Sequence, residues 1–451
     1  MVDALKLLRK ARTMVISTNG DEIWSAKVFY ALEGGIVFLV EKNSKTLNNI
    51  LKNSHVVFTI DFNTPDLFIQ GSGNAIILGE PKDFDKERGT LLYKIPEDTL
   101  FVKTGHVLIA KIIPDVIRLS DFRAQPKKID FHFSPEELTE KKTFRYWRAL
   151  RPWAFQQSVT SIIFGALIAF QTRFEYWNSL YLLLIAILSL VLVHGGFNAF
   201  SDYFDFILKT DKPDGMGSSG ARVLIDKLIP TKKFLAYSIA VFSVGFALGI
   251  YLILLRPVII PFVIIGLVAG LLYGLPKLGL KRIALGDLAV FLAFGPGIFL
   301  GSLVLEGGSI GVPDLLISFS LGMIIVAILH GNNWRDIKDD KEAGVVTVSG
   351  ILGDKGSYVY YLVLIWASYP LFLAAVILDH ELFPILGAFL TIPWAVRLTK
   401  ISSNAKNLKR NLLDMLTARF TSLHIYFSVA FLFVFLILMH FLHFSSFYTT
   451  Y

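Results

Sequence analysis

Hydrophobic and polar positions follow two different rhythms along this chain. Through roughly the first 130 residues, short apolar-alternating runs of strand length are separated by turn signals: Thr13–Thr18, Trp24–Leu32, Gly35–Val40, His55–Asp61, Leu67–Leu78 and His106–Ile113. Asn19-Gly20-Asp21 and Gly34-Gly35 stand where hairpin turns belong. One helical segment, Ser44–Asn53, interrupts the series, which predicts a small mainly-β barrel. The opening stretch, MVDALKLLRKARTMVIST, lacks the apolar core of a signal peptide and reads as a short amphipathic helix leading into a strand.

From residue 155 the rhythm changes to long apolar runs, at 155–172, 178–200, 234–255, 258–275, 286–305, 314–331, 357–379, 382–397 and 419–443. Most reach the roughly 20 residues that a helix needs to cross a bilayer, and the run at 382–397 is the shortest. The expected organisation is therefore a barrel domain at 1–130, a linker with an interfacial helix at 131–150, and a multi-pass α-helical membrane domain of about nine spans at 151–445. Composition agrees: 54% of the 451 residues are hydrophobic and only 18% charged, too apolar for an ordinary soluble protein.

Charge adds an orientation. The loops after the second, fourth, sixth and eighth runs carry Lys209, Lys212, Arg222, Lys277, Lys281, Arg282, Arg335, Lys338, Lys406 and further cations, whereas the opposite loops hold only Arg173 and Arg256. The basic side is expected to be cytoplasmic, with the barrel inside and the C-terminus outside. The net charge of +8 is thus explained by topology, so the lipid bilayer and not nucleic acid is the expected partner. The absence of cysteine excludes disulfides, thiolate metal sites and a cysteine nucleophile.

The candidate chemistry sits where two apolar runs end. Asn198, Asp202 and Asp205, spaced i, i+4, i+7, fall within roughly 60° of one another on one helix face. Asn332, Asp336 and Asp340, spaced i, i+4, i+8, repeat the arrangement four runs later. Two carboxylate clusters at one membrane depth repel unless a cation lies between them, and hard oxygen ligands with substrate phosphates suit Mg2+. A metal-bridged diphosphate is the natural occupant, and Arg222, Lys277, Arg335 and Lys338 are near enough in sequence to offset its charge. His194, one turn before Asn198, reads either as a proton acceptor or as a packed histidine, and Asp287 either as an acceptor-orienting acid or as a helix N-terminal acid.

Two resemblances extend this reading. Residues 5–120, through the order of elements and Ser44-Lys45-Thr46-Leu47-Asn48-Asn49-Ile50 followed by Asn53-Ser54-His55-Val56, resemble the pyridoxamine-phosphate-oxidase-like split barrel. That resemblance implies FMN as a cofactor, with Ser44, Lys45 and Thr46 approaching its phosphate. Residues 145–443 resemble the UbiA superfamily of intramembrane prenyltransferases, through the two acidic motifs, Trp147-Arg148-Ala149-Leu150-Arg151-Pro152-Trp153, Tyr273-Gly-Leu-Pro-Lys277 with Gly286-Asp287, and the later Thr347 with Leu352-Gly353. Within it the subgroup that prenylates 1,4-dihydroxy-2-naphthoate in menaquinone synthesis is most similar, although that subgroup more often has Glu at the position of Asp287.

The resemblance implies transfer of a prenyl group from a polyprenyl diphosphate to an aromatic acceptor, with Mg2+. Asp202, Asp336 and Asp287 would be catalytic, and Asn198, Asp202, Asp205, Asp336 and Asp340 would hold the metal. Lys209, Arg222, Tyr273, Lys277, Asn332, Arg335 and Lys338 would contact the diphosphate. Prenyl transfer to a glycerol-phosphate lipid precursor is the alternative within the superfamily. An ion-coupled transporter is the alternative of another class, disfavoured because the acids lie at helix ends on one side rather than at midplane.

Overall fold

The computed structural model describes residues 3–172, 176–209, 221–276, 278–404 and 408–448, so Arg173, Lys212, Lys277 and Lys406 lie outside the described residues. The chain divides into two units: Met1–Arg148 with Asp211–Thr231, and Ala149–Thr210 with Lys232–Tyr451.

The first unit is built on seven strands, β1 (Thr13–Asn19), β2 (Ile23–Leu32), β3 (Ile36–Glu41), β4 (His55–Asp61), β5 (Leu67–Gly79), β6 (Val107–Asp121) and β7 (Lys128–Phe131). Their order is β3-β2-β1-β4-β5-β6-β7, and β3 also pairs with β6, so the first six close into an antiparallel barrel while β7 lies outside on β6. Closure runs through Ile36 opposite Ile112 and Phe38 opposite Ala110. Alternate residues turn inward, as in β4, where Val56, Phe58 and Ile60 are buried between exposed neighbours. Gly71 lets β5 pass close to the core, because a Cβ there would lie 2.3 Å from the Phe58 ring. The N-terminal helix α1 (Ala4–Lys10) is capped by the Asp3 carboxylate, and α2 (Lys45–Lys52) by the Ser44 hydroxyl.

Three features differ from the sequence pattern. The strand expected to stop at Ile113 continues through Pro114 to Asp121, where a register shift opposite Ser72 and Gly73 absorbs the missing proline N–H. Helix α3 (Asp85–Lys94) has no counterpart in the pattern, since its polar residues and central Gly89 give it little periodicity. The segment 221–231, expected in the membrane domain, belongs instead to the first unit, where Asp226 pairs with Arg88 and Lys227 with Asp85.

The second unit is a helical bundle: α4 (Phe155–Thr172), α5 (Tyr176–Ile207), α6 (Thr231–Leu255), α7 (Ile260–Tyr273), α8 (Gly286–Leu305), α9 (Val312–Arg335), the short α10 (Ile337–Glu342), α11 (Val348–Leu378), α12 (His380–Ser402) and α13 (Leu413–Tyr448). Eight helices among the described residues are long and apolar enough to cross a membrane, and α7 is a shorter ninth apolar helix. The weak span is therefore α7, with 14 helical residues, and not the run at 382–397, where α12 covers 23. Phe164, Phe299, Phe372, Ile317 and Ile385 fill one interior cluster. Leu184, Leu254, Ile264, Val359 and Leu438 each expose more than half their surface, a distribution that suits hydrocarbon and not water.

Candidate active site

The first acidic motif occupies the last turns of α5, and each member meets a different partner. The Asn198 amide donates to the Leu150 carbonyl at 3.1 Å. Asp202 is ion-paired with Arg151, which lies just ahead of α4. Asp205 accepts from Lys281 Nζ at 2.5 Å and from Arg282 Nη2 at 2.7 Å, both in the loop between α7 and α8. Lys281 Nζ also reaches the Ser201 hydroxyl at 2.8 Å.

The second motif straddles a helix break. Asp336 ends α9 with φ −98° and ψ 13°, yet its N–H donates to Asn332 at 3.2 Å and the Asp340 N–H donates to Asp336 at 2.9 Å. The i+4 spacing thus survives the break and carries Asp340 onto α10. Arg335 donates Nε to Asp336 Oδ1 at 2.8 Å, contacts the Asn332 side chain, and donates Nη1 to Asp414 at 2.8 Å. Among the described residues Asp340 has no ion pair. Its burial, together with the Asp336 and Asp339 carboxylates, pushes its carboxyl up to about 7 against the pull of Arg335 and Lys281.

The two motifs meet at one end of the bundle. Lys281, bonded to Asp205, also acts on Asp340, and the Tyr273 phenol lies in the fields of Asp205, Asp340, Asp287 and Arg151. Beneath them opens a cavity of about 340 Å³. Arg151, Asn198, Ser201 and Tyr273 line its polar end, while Phe197, Phe262, Phe294 and Leu305 line its apolar length. His194 borders the same cavity, hydrogen-bonded to Ser158 at 2.7 Å and packed edge-on against Phe155 and Phe294.

Asp287 is buried in the first turn of α8 and is hydrogen-bonded to Tyr360. Its Oδ2 stands 3.9 Å from Nδ1 of the fully buried His330, and neither of these atoms has a hydrogen-bond partner among the described residues. Lys209 and Lys338 are exposed, the former just beyond the end of α5 with φ 54°. Arg222 lies in the first unit, where its guanidinium holds Asp226 at 3.2 Å, so it is not brought to the motifs within one unit. Lys277 is outside the described residues. Thr347 caps α11 by accepting from the Gly350 N–H at 3.1 Å.

In the barrel, the Ser44 hydroxyl donates to the Glu41 carbonyl at 2.8 Å and accepts from the Leu47 N–H at 3.1 Å. Lys45 is ion-paired with Glu22 and sits 4.6 Å over the Trp24 ring, and Thr46 is buried. The Lys45–Glu22 pair is half exposed, so a phosphate arriving at this set could draw Lys45 from the Glu22 carboxylate.

Sequence reasoning gave no site role to Arg151, Lys281, Arg282 or Asp414. The signals were present: Arg151 is the last cation before the first apolar run, and Lys281-Arg282 is a tandem pair just after Tyr273. Asp414 is the one acid in α13, and an isolated acid in an apolar helix marks a function.

A multi-pass helical bundle with two acidic motifs at one end and a largely apolar cavity beside them is a membrane protein with room for an amphipathic ligand. The UbiA prenyltransferase family matches over residues 158–422. The protein named UbiA prenyltransferase domain-containing protein 1 is 29% identical in Mus musculus over 269 residues, covering 59% of this chain and 78% of that protein. Its Danio rerio counterpart is 32% identical over 237 residues, covering 52% and 68%. The solved structure of a UbiA homolog from Archaeoglobus fulgidus bound to GPP and Mg2+ has 15% identity and a TM-score of 0.49, covering 64% of this chain and 99% of that one. The chain belongs to the UbiA prenyltransferase family and is a prenyltransferase.

Proposed function

We propose that the protein transfers a prenyl group from a polyprenyl diphosphate to an aromatic acceptor, a quinone precursor such as 1,4-dihydroxy-2-naphthoate, with Mg2+ as cofactor. The observation that carries this reading is the continuity of the cavity, from Arg151, Asn198, Ser201 and Tyr273 at its polar end, where Arg151 holds Asp202, to Phe197, Phe262 and Phe294 along its length. A diphosphate and its isoprenoid tail need those two environments joined end to end.

The donor set suits Mg2+ in chemistry: the side chains of Asn198, Asp202, Asp205, Asp336 and Asp340 offer oxygen to a hard cation, from both motifs, and Asp340 has no ion pair among the described residues. Among the described residues no three acids or histidines converge tightly enough to form a metal cluster, because Arg151, Lys281, Arg282 and Arg335 hold them. An arriving diphosphate would draw those cations onto its own oxygens and release the carboxylates. When bound, Mg2+ supplies charge neutralisation of the departing diphosphate. Tyr273 and Asn332 would add hydrogen bonds to it, with Lys209, Lys277 and Lys338 adding charge from the loops.

The apolar length of the cavity excludes water, so the allylic carbon bonds to the aromatic carbon and not to hydroxide. The faces of Phe197 and Phe294 stabilise positive charge as the carbon–oxygen bond breaks. The ring then loses a proton or, in a naphthoate, its carboxylate as CO2. Asp287, fixed by Tyr360, is assigned to orient the acceptor. Purified protein incubated with labelled prenyl diphosphates and a panel of aromatic acceptors is expected to give labelled prenylated aromatics. Labelling of glycerol phosphate alone would overturn the aromatic reading.

Two further outcomes test the remaining assignments. The charge asymmetry of the loops supports a cytoplasmic barrel. A reporter fused after Tyr451 should face outward and one at Met1 inward, and both on one side would refute the topology. An FMN phosphate held by Ser44, Lys45 and Thr46 predicts that the full chain purifies with a flavin absorbance band or binds added FMN. Lys45→Ala should weaken that binding by removing a charge-assisted contact, and a folded protein with no FMN affinity would refute the flavin site.

A further inference from the structure

Along the apolar length of the cavity, the hydrogen-bonding side chains among the described residues are already committed, with one exception. Ser189 donates its hydroxyl to the Gly245 carbonyl at 2.8 Å, and Ser302 donates its own to the Ile162 carbonyl at 2.5 Å. Ser158 is hydrogen-bonded to His194 Nδ1 at 2.7 Å. The exception is the other nitrogen of His194. Its ring is held in place by Ser158 and by the Phe155 and Phe294 rings, which meet it edge-on with centroids at 5.6 and 5.7 Å. Nε2 has no hydrogen-bond partner among the described residues, yet it is not sealed off, because the partly buried side chain lines the cavity.

The position of this nitrogen matters as much as its freedom. His194 precedes Asn198 by four residues on α5, which sets it about 6 Å along the helix from the polar end. It stands where that end gives way to Phe294 and the apolar length. In a prenyl diphosphate the reacting allylic carbon lies at the same junction, directly after the diphosphate. An isoprenoid has nothing to offer an imidazole nitrogen, and hydrocarbon laid against it would leave a desolvated polar atom unpaired. A hydroxyl both donates and accepts, so it pairs with Nε2 in either tautomer of the ring. An aromatic ring bearing that hydroxyl can pack on Phe294 at the same time.

We propose that the cavity receives the acceptor as well as the donor's tail, and that His194 selects the acceptor through a hydrogen bond from Nε2 to a hydroxyl on its ring. This rests on the reading of an aromatic acceptor. It narrows the substrate class to phenolic rings, because a site built to pair with a hydroxyl discriminates against a ring that lacks one.

The test uses the full chain in detergent. His194→Phe keeps an aromatic ring against Phe155 and Phe294 but removes both nitrogens, and His194→Gln restores a polar group near the position of Nε2. With 1,4-dihydroxy-2-naphthoate as acceptor, His194→Phe should raise the acceptor KM about tenfold and leave the KM for the prenyl diphosphate within about twofold. His194→Gln should recover part of the loss. Calorimetric titration gives a readout independent of turnover, with 1-hydroxy-2-naphthoate and 4-hydroxy-2-naphthoate each lacking one hydroxyl. One of the two should bind the wild type about tenfold more weakly than the dihydroxy compound, and in His194→Phe that difference should vanish. An unchanged acceptor KM in His194→Phe, an equal rise in both KM values, or a hydroxyl preference that survives the substitution would overturn the proposal. If the wild type prenylates no aromatic ring but binds the naphthoate in a His194-dependent way, the transfer reading fails alone. Absence of naphthoate binding to the wild type overturns the proposed subsite as well.

Discussion

Asp202→Asn and Asp336→Asn are each expected to abolish most prenyl transfer, by about a thousandfold, while the protein remains folded in the membrane. Asparagine is nearly the size of aspartate and still presents an oxygen, but it lacks the charge that holds a cation. The two acids stand on different helices, each with its own counter-cation: Arg151 for Asp202 and Arg335 for Asp336. Neither could take over for the other if Mg2+ is held by oxygens from both motifs. The loss of one ligand charge in a water-poor site costs several kcal/mol at the transition state, which sets the expected magnitude. EDTA should silence the wild type and added Mg2+ should restore it. Wild-type elution on size exclusion would separate lost chemistry from lost folding. Full activity in either variant, or turnover indifferent to chelator, would overturn the magnesium-diphosphate reading.

What the sequence makes legible follows from local periodicity. Strand alternation in Thr13–Thr18 and His55–Asp61 and the long apolar runs are properties of neighbouring residues, and β1, β4 and the bundle helices appear where those patterns lie. The spacing of Asn198, Asp202 and Asp205 is local too, and α5 carries all three on its last turns. The partners are not local. Arg151 meets Asp202 across 51 positions, Lys281 meets Asp205 across 76, and Arg335 meets Asp414 across 79. Loop charges counted as topological markers thus also serve as counter-ions of the acids, a distinction that depends on packing alone. The same holds for residues 221–231. Their run Ala-Arg-Val-Leu-Ile-Asp-Lys-Leu-Ile is apolar enough to be buried, but nothing in it says to which unit it belongs.

The second large effect is expected from the cavity's length. Gly266, on α7, lines the cavity, and a Cβ added there meets nothing within 4 Å, so the space beside it is open. Gly266→Phe should fill that space without straining the helix, since replacing a helical glycine favours the helical state by a few tenths of a kcal/mol or more. A long isoprenoid tail must then leave part of its surface outside the cavity. At about 0.8 kcal/mol per buried carbon, displacing one five-carbon unit costs roughly 3–4 kcal/mol, or a few hundredfold in kcat/KM. A geranyl donor, short enough to stop before the obstruction, should retain most of its rate, so the preferred chain length shortens. Ile264 lies on the same helix but exposes 54% of its surface on the outer face, and Ile264→Phe should leave the chain-length profile unchanged. Rates measured with donors of increasing length distinguish the cases. An equal loss for every donor would point to misfolding or to a damaged diphosphate end, and an unchanged profile would mean that the tail lies elsewhere. Only a loss that grows with donor length places the isoprenoid along Phe197, Phe262 and Phe294.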